Sequence, residues 1–383
     1  MKSIFLKTKI FSELRKLFFG NTNILKIQKE LKMAKVAIIG SGMMGSALAF
    51  PILENGHEVS LIGTHLDTEI ILNARKTGRH LKFEKDFPAG KINYYTIDEI
   101  EEGIKNIDYV ICGVSSFGVE WFGEKILPIL PENTIILSVT KGLMNEPDGT
   151  LITYVDYWKS VAKKLNKNFS FNAIGGPCTS YELVAHDQTE VAFCGDDKKT
   201  LEFLKKVMAT DYYHISITDD VTGIESAVAL KNGYALGIAI TIGLNQKTFG
   251  LDSKQHFNSQ AAVFYQSAKE MKKLLNIQGA REESYYIGVG DLYVTVYGGR
   301  TRLAGILLGR GFNIDEVKTE LNGVTLESLV VAKRVAQAIK RKSELGLVDI
   351  KNFPLLMKID KIISENAPAV LDWESYTYES FKN

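Results

Sequence analysis

The sequence predicts an α/β domain followed by an all-α domain, on the strength of three observations. From Lys35 to about Ile217, short apolar runs alternate with helix-length segments, which is typical of a parallel sheet covered by helices on both faces. The segment from Ile224 to Leu244 is almost wholly apolar, and no convincing strand follows it. The 383 residues exceed the ~250–300 residues at which a single core stops growing. We therefore divide the chain into an extension (1–32), an α/β domain (33–217) and a helical domain (218–383).

Each element is predicted from its local pattern. Short apolar runs that end in glycine or polar turns indicate buried strands. Longer apolar segments of helical length indicate helices, and the first of them ends near Asn55-Gly56, a natural helix stop. The predicted strands are 36–39, 57–62, 107–112, 134–139, 171–174, 191–194 and 212–217, and the predicted helices are 46–53, 224–244, 263–275, 324–342 and 353–364.

The composition is that of an ordinary globular protein. The net charge is +1, with 45% hydrophobic and 24% charged residues, which excludes disordered and collagen-like classes and gives no reason to expect nucleic acid as a partner. The three cysteines form no CxxC pair and have no histidine cluster beside them. We therefore expect no disulfide framework, no metal site and a reducing, cytoplasmic location.

Residues 1–32 form a separate basic segment, with eight Lys or Arg residues and two acidic ones. Their apolar residues have helical spacing, which predicts an amphipathic basic helix if the segment is ordered. They contain no apolar run of ~20 residues, so no membrane-spanning segment is predicted there. Three interpretations stay open: organelle targeting (the minority interpretation), a surface-binding helix, or an extension upstream of a start at Met33.

The strongest motif is a glycine-rich turn between the first strand and the first helix. It reads GSGMMG and comprises Gly40, Ser41, Gly42, Met43, Met44 and Gly45. In such a turn the first glycine permits the sharp bend, the second lets a pyrophosphate approach the backbone, and the third lets the helix pack on the strand. The motif therefore predicts a Rossmann-type domain that binds a dinucleotide.

The acidic residue that usually contacts the ribose is not evident from the sequence. The second strand ends without an Asp or Glu, and Asp67 and Glu69 have the pattern of first-turn helix residues. The choice between NAD and NADP therefore stays open.

Four basic residues are candidates for the chemistry. Lys231 lies in the middle of the apolar segment 227–236, where a buried ammonium is costly unless it is paired or functional. Lys141 follows a buried strand, at the sheet edge where ligands bind in open α/β folds. Arg300 and Arg302 follow Gly298-Gly299, and guanidinium groups of this kind can grip a phosphate.

Taken together, these segments resemble the NAD(P)-dependent glycerol-3-phosphate dehydrogenases over about residues 33–363. The resemblance rests on the order of IIGSGMMGSALA, Thr140-Lys141-Gly142, Ala229-Leu230-Lys231-Asn232, GVGDLYVTVYGGRTR, Leu321-Asn322-Gly323 and Phe353-Pro354-Leu355-Leu356-Met357. It implies reversible reduction of dihydroxyacetone phosphate to sn-glycerol 3-phosphate, a precursor of glycerophospholipids, by a homodimer that uses NAD or NADP.

The resemblance also implies roles for individual residues. Lys231 would be the general acid and base, and Lys141 a second catalytic lysine near substrate and cofactor. The substrate-binding set would be Lys141, Asn232, Asp291, Thr295, Arg300 and Thr301. The cofactor would contact the glycine-rich turn together with Phe117, Lys141, Arg300 and Asn322.

The chain departs from the family pattern at several positions. These are Met44, where the family usually has an aromatic residue, Cys178-Thr179-Ser180, Thr301 in place of Asn, and Asn322, where many bacterial members have Glu. Two alternative functions stay open: a related hydroxyacid dehydrogenase of the same two-domain type, and a dinucleotide-sensing protein without catalysis.

Overall fold

The computed structural model describes residues 33–321 and 326–379. The residues from Lys35 onward form one compact unit, and the boundary between 217 and 218 stays a prediction. The predicted basic helix within 1–32 and the predicted cofactor contact at Asn322 lie outside the described residues.

An eight-stranded sheet forms the N-terminal half and confirms the predicted α/β class. The strands of this sheet are β1 (Lys35–Ile39), β2 (Glu58–Ile62), β5 (Lys91–Tyr95), β6 (Tyr109–Cys112), β7 (Ile135–Ser138), β10 (Ser170–Gly175), β11 (Thr189–Gly195) and β12 (Tyr213–Thr218). Their order in the sheet is β12-β11-β10-β7-β6-β1-β2-β5. Two small hairpins pair β3 (Arg79–His80) with β4 (Lys85–Asp86), and β8 (Leu143–Asn145) with β9 (Leu151–Thr153).

The predicted parallel sheet contains one antiparallel pair of strands. β10 and β11 run antiparallel, whereas the other neighbouring strands of this sheet are parallel. The connection between β10 and β11 contains only one five-residue helix, Ser180–Val184, which does not provide the longer helical crossover that usually joins parallel strands.

Strand β5 was not predicted from the sequence, because this edge strand is only partly buried and lacks a strong apolar run.

The helices of the N-terminal half connect these strands. They are α1 (Met43–Glu54), α2 (Thr68–Thr77), α3 (Ile100–Gly103), α4 (Val119–Trp121, continued by a π turn over Phe122–Ile126), α5 (Tyr154–Lys164), α6 (Ser180–Val184) and α7 (Lys198–Met208). Their apolar faces and the sheet share a core that includes Trp158, Phe122 and Ile39.

The C-terminal half is helical, as the sequence predicts. Its helices are α8 (Val221–Phe249), α9 (Phe257–Ile277), α10 (Glu282–Tyr297), α11 (Gly299–Arg310), α12 (Ile314–Glu320), α13 (Glu327–Glu344) and α14 (Pro354–Glu365). The glycine-rich stretch 288–302 forms most of α10 and the beginning of α11. These helices pack into a second core around α8.

Helix α8 is the one helix in the described part of the chain that is long and apolar enough to cross a membrane. Its most apolar window is 89% buried inside the protein, as expected for the central helix of a helical core, which is hydrophobic on all sides. The apolar character of α8 is therefore explained by burial against its neighbours.

Candidate active site

The glycine-rich turn has the geometry of a dinucleotide site. Gly40 has φ +104°, and a Cβ there would lie 2.7 Å from the Gly113 carbonyl carbon. A Cβ on Gly45 would collide with the Gly40 carbonyl oxygen, so helix α1 can approach β1 only because glycine stands there. A Cβ on Gly42 would meet nothing within 4 Å, so the backbone is open at the residue where a pyrophosphate approaches. Helix α1 begins directly after it and directs free N–H groups there.

Three side chains hold the Ser41 peptide within this turn. The Ser41 amide donates to Asp67 Oδ2 at 3.2 Å. The Ser41 carbonyl accepts from Ser46 Oγ at 3.0 Å and lies 3.3 Å from His80 Nε2. The turn is therefore fixed before any ligand binds, which reduces the entropy lost on binding.

Asp67 and His80 were missed as site residues. Asp67 directly precedes α2, and its sequence pattern indicated only the start of a helix. The pattern gave no sign that the side chain turns back to the Ser41 amide. The available signal was its position 22 residues after Gly45, close to the ~20-residue spacing of the ribose-binding acid in Rossmann domains. His80 lies on the short strand β3, and no local pattern identified it.

The imidazole of His80 is a neutral support for the turn. Its Nδ1 faces the Lys82 and Phe83 amides at 3.2 and 3.3 Å, so it acts as the acceptor and Nε2–H donates to Ser41. Burial lowers the pKa of His80, against a raising effect of the bond to Ser41. The ring therefore stays neutral near pH 7.

Two lysines and one aspartate form the centre of the site. Lys141 lies in the turn after β7, Lys231 on α8 and Asp291 on α10. Lys141 Nζ lies 2.6 Å from Asp291 Oδ2 and donates to the Gly176 carbonyl oxygen at 3.0 Å. Lys231 Nζ pairs with Asp291 Oδ1. One buried carboxylate thus bridges two ammonium groups that are 90 residues apart in the sequence.

Lys231 has an unusually low pKa. It is 8% exposed, and burial lowers its pKa to about 8, against a raising effect of Asp291 and with a further lowering effect of the Lys141 charge. A lysine with a pKa near 8 can both give and accept a proton close to neutral pH.

The other predicted site residues differ in their exposure and in their contacts with this centre. Asn232 is partly buried beside Lys231, and Thr295 Oγ1 donates to the Asp291 carbonyl oxygen at 2.7 Å. Arg300 is exposed at the start of α11 and has no hydrogen-bonding partner among the described residues, whereas Thr301 is buried. Phe117 is exposed in the turn after β6.

Cys178, one of the departures from the family pattern, lies close enough to the centre for the charges of Lys141, Lys231 and Asp291 to act on it. Burial raises the pKa of its thiol to about 12. The thiol is therefore protonated at physiological pH and is not a nucleophile.

The glycine-rich turn and the lysine centre lie at the same edge of the sheet. β1, β6, β7 and β10 are parallel neighbours, so their carboxyl ends lie on one side. The turn follows β1, Lys141 follows β7 and Gly176 follows β10. Since adjacent strands are ~4.8 Å apart, β1 and β7 are separated by about 10 Å at this edge, where open α/β folds bind their ligands.

Comparisons with known proteins agree with this architecture. Residues 35–201 match the family described as the NAD-dependent glycerol-3-phosphate dehydrogenase N-terminus, and residues 220–370 match the corresponding C-terminus. An NADP(+)-dependent glycerol-3-phosphate dehydrogenase of Archaeoglobus fulgidus is 31% identical over 75% of this chain and 83% of its own length. A glycerol-3-phosphate dehydrogenase [NAD(P)+] of Leuconostoc citreum is 28% identical over 88% of this chain and 94% of its own length.

Solved structures share the fold at low sequence identity. A glycerol-3-phosphate dehydrogenase of Plasmodium falciparum superposes with a TM-score of 0.76 at 19% identity, covering 94% of this chain and 99% of that one. The enzyme of Coxiella burnetii has a TM-score of 0.73 at 20% identity, covering 90% and 98%. Because the two family matches span most of both halves, the chain belongs to the NAD-dependent glycerol-3-phosphate dehydrogenase family.

Proposed function

We propose that this protein catalyses the reversible reduction of dihydroxyacetone phosphate to sn-glycerol 3-phosphate with NADH or NADPH. The observation that supports this most directly is the pairing of buried Lys231 and Lys141 with one carboxylate, Asp291. This centre lies at the sheet edge that bears the glycine-rich turn. The bound coenzyme would supply the hydride.

Lys231 is the proton donor in this proposal. As hydride reaches the ketone carbon, negative charge develops on the carbonyl oxygen, and an ammonium beside it stabilises that charge and gives up its proton. In the reverse direction neutral Lys231 accepts the alcohol proton. Asp291 holds Lys231 in place and, through its second oxygen, holds Lys141 as well.

The charge balance of the centre favours an anionic substrate. Two ammonium groups and one carboxylate leave a net charge of +1 in a buried region, which favours both a phosphorylated ketone and its oxyanion. Arg300 is the phosphate anchor in this proposal, because its exposed guanidinium is free to form a bidentate pair. Asn232, Thr295 and Thr301 complete the substrate site.

We extend the proposal to the setting of the reaction. The product would feed glycerophospholipid synthesis in the cytoplasm, and the active form would be a homodimer. Light scattering after gel filtration tests the last point: a dimer has twice the chain mass of 42.7 kDa, and a single-chain mass would refute it.

The test of the reaction follows NADH and NADPH absorbance with dihydroxyacetone phosphate. We expect Lys231→Ala to lower kcat by about 10²–10⁴-fold, the usual contribution of a positioned general acid. We expect Arg300→Ala to raise KM by about 10–100-fold, because it removes a charge-assisted hydrogen bond to phosphate. Lys247→Ala is the matched control, since it removes an exposed lysine from the same helix as Lys231.

The outcomes separate the alternatives. Equal activity on a ketone without phosphate would favour a hydroxyacid dehydrogenase. Tight coenzyme binding without turnover of any phosphorylated ketone would favour a dinucleotide sensor. Oxidation of neither coenzyme in the presence of dihydroxyacetone phosphate would refute the proposed function.

A further inference from the structure

We propose that Asp67 is the acceptor for the 2′-hydroxyl of the adenosine ribose, and that it makes this protein selective for NAD over NADP. The proposal rests on the dinucleotide-binding part of the proposed function, and it is independent of which ketone is reduced.

The carboxylate of Asp67 is held firmly against the glycine-rich turn. Its Oδ2 accepts from the Ser41 amide at 3.2 Å, the Thr64 amide at 3.0 Å and Thr64 Oγ1 at 2.8 Å. These three donors occupy Oδ2. Oδ1 has no hydrogen-bonding partner among the residues that the structure describes, and it is the acceptor left for a ligand.

The strand register places this carboxylate beside the start of the turn. Ile39 of β1 pairs with Ile62 of β2, and the Gly40 amide donates to the Ile62 carbonyl oxygen at 2.9 Å. The loops after the two strands therefore begin side by side. In a Rossmann domain the ribose lies at the end of the second strand, where an acidic residue accepts from its 2′-hydroxyl.

A second contact brings an aromatic surface to the same loop. His65 follows β2 and Trp121 lies on α4 after β6, and their ring centroids are 6.1 Å apart in an edge-to-face arrangement. His65 is exposed and Trp121 is partly exposed. Planar side chains of this kind suit an adenine base, and they lie next to the loop that holds Asp67.

A carboxylate at this position discriminates against a 2′-phosphate. It can accept from a hydroxyl, but it has no proton to donate to a phosphate and repels its negative charge. A cation that could reverse this preference is Lys82, because the charges of Lys82 and Asp67 both act on the His80 ring. Asp67 should therefore weaken the binding of NADP, whereas Lys82 would strengthen it.

The test measures coenzyme binding by the full-length protein without substrate. Nicotinamide fluorescence gives Kd for NADH and NADPH, and calorimetry with ADP-ribose and 2′-phospho-ADP-ribose repeats the comparison without the nicotinamide. We expect the wild type to bind NADH and ADP-ribose at least about tenfold more tightly than their 2′-phosphorylated forms, a difference of ~1.4 kcal/mol. We expect Asp67→Asn, which keeps the size of the side chain, to reduce the ratio of the Kd for NADPH to the Kd for NADH by about tenfold.

Two further variants separate recognition of the ribose from support of the turn. Thr64→Val removes one hydrogen bond to Asp67 but keeps the carboxylate. It should therefore weaken the binding of NADH and NADPH by the same factor and leave the ratio of their Kd values unchanged. Lys82→Ala should also leave the ratio unchanged.

A wild-type protein that binds NADPH as tightly as NADH would overturn the proposal, as would an Asp67→Asn variant that loses affinity for both coenzymes equally. Selective loss of NADPH affinity in Lys82→Ala would likewise overturn it, since Lys82 would then be the specificity residue. If NADH selectivity persists but dihydroxyacetone phosphate is not reduced, the proposed reaction fails while the assignment of Asp67 stands.

Discussion

At the scale of single residues, the centre of the site is one carboxylate, Asp291, that forms ion pairs with both Lys141 and Lys231. Burial lowers the pKa of Lys231, and Asp291 offsets part of this effect. The resulting pKa of about 8 lies close to neutral pH, which is the condition for efficient general acid catalysis in the role proposed for Lys231. A fully exposed lysine would hold its proton too tightly to have this property.

The pH dependence of the reaction follows from this pKa. Lys231 must be protonated to reduce the ketone, so kcat/KM for reduction should fall by about tenfold per pH unit above about pH 8, the pKa in the free protein. Oxidation of glycerol 3-phosphate needs neutral Lys231 and should rise over the same range. Initial rates in both directions between about pH 6 and 10 measure this.

The control for this profile is Cys178→Ser, which removes the thiol that the Lys141, Lys231 and Asp291 charges reach. Since the pKa of Cys178 is about 12, the variant should keep the inflection of the wild type. A profile for reduction that stays level through pH 8, or an inflection that disappears in Cys178→Ser, would contradict the assignment of the proton donor to Lys231.

At the scale of elements, the position of Arg300 depends on how closely α11 packs on α8. Three buried glycines lie at this contact: Gly243 on α8, and Gly305 and Gly309 on α11. A Cβ on Gly309 would collide with the Ile240 carbonyl oxygen and lie 2.8 Å from the Gly243 Cα. The two backbones are therefore as close as they can be without side chains between them, and α11 begins one residue before Arg300.

We expect Gly309→Ala to destabilise the protein and to weaken the binding of the substrate. The added methyl group meets backbone rather than a flexible side chain, so overpacking should lower the free energy of unfolding by about 1–3 kcal/mol. It should also raise KM for dihydroxyacetone phosphate, because α11 carries Arg300. Urea denaturation and initial rates measure the two effects.

The comparison for Gly309→Ala is Thr248→Ala, a change at an exposed position near the end of α8. Surface substitutions of this kind usually change stability by less than about 0.5 kcal/mol. Equal unfolding free energies for Gly309→Ala and the wild type would show that the helices can separate without cost.

At the scale of the whole molecule, one compact unit from Lys35 onward contains the glycine-rich turn, Asp67, the lysine centre and Arg300. Helix α8 links its two halves: Gly175 at the end of β10 packs against Ile224 and Val228, and Gly237 packs against Ile359 on α14. Lys231 thus lies on the helix that contacts both the sheet and the helical core.

Removal of residues 1–32 should leave catalysis intact, because the site residues described above lie within 39–301. We expect the chain 33–383 to keep kcat and KM within about twofold of the full chain, well below the tenfold that 1.4 kcal/mol would produce. Steady-state kinetics of both proteins, with melting temperatures as a check on folding, measure this. A large loss of kcat in a truncated protein that melts like the full chain would contradict the expectation.

Local patterns in the sequence were sufficient for seven of the eight strands of the large sheet, for five of the helices, for the glycine-rich turn and for the conflict between Lys231 and its apolar surroundings. These features follow from periodicity and from backbone conformations that only glycine adopts easily, which act over a few neighbouring residues. Only the tertiary structure decided that Lys141 and Lys231 share Asp291, that Asp67 turns back to Ser41, that His80 supports the same peptide and that β11 runs against β10. Each of these features depends either on contacts between residues that are distant in the sequence or on the path of a loop. Contacts of this kind and loop paths leave no periodic pattern in the sequence.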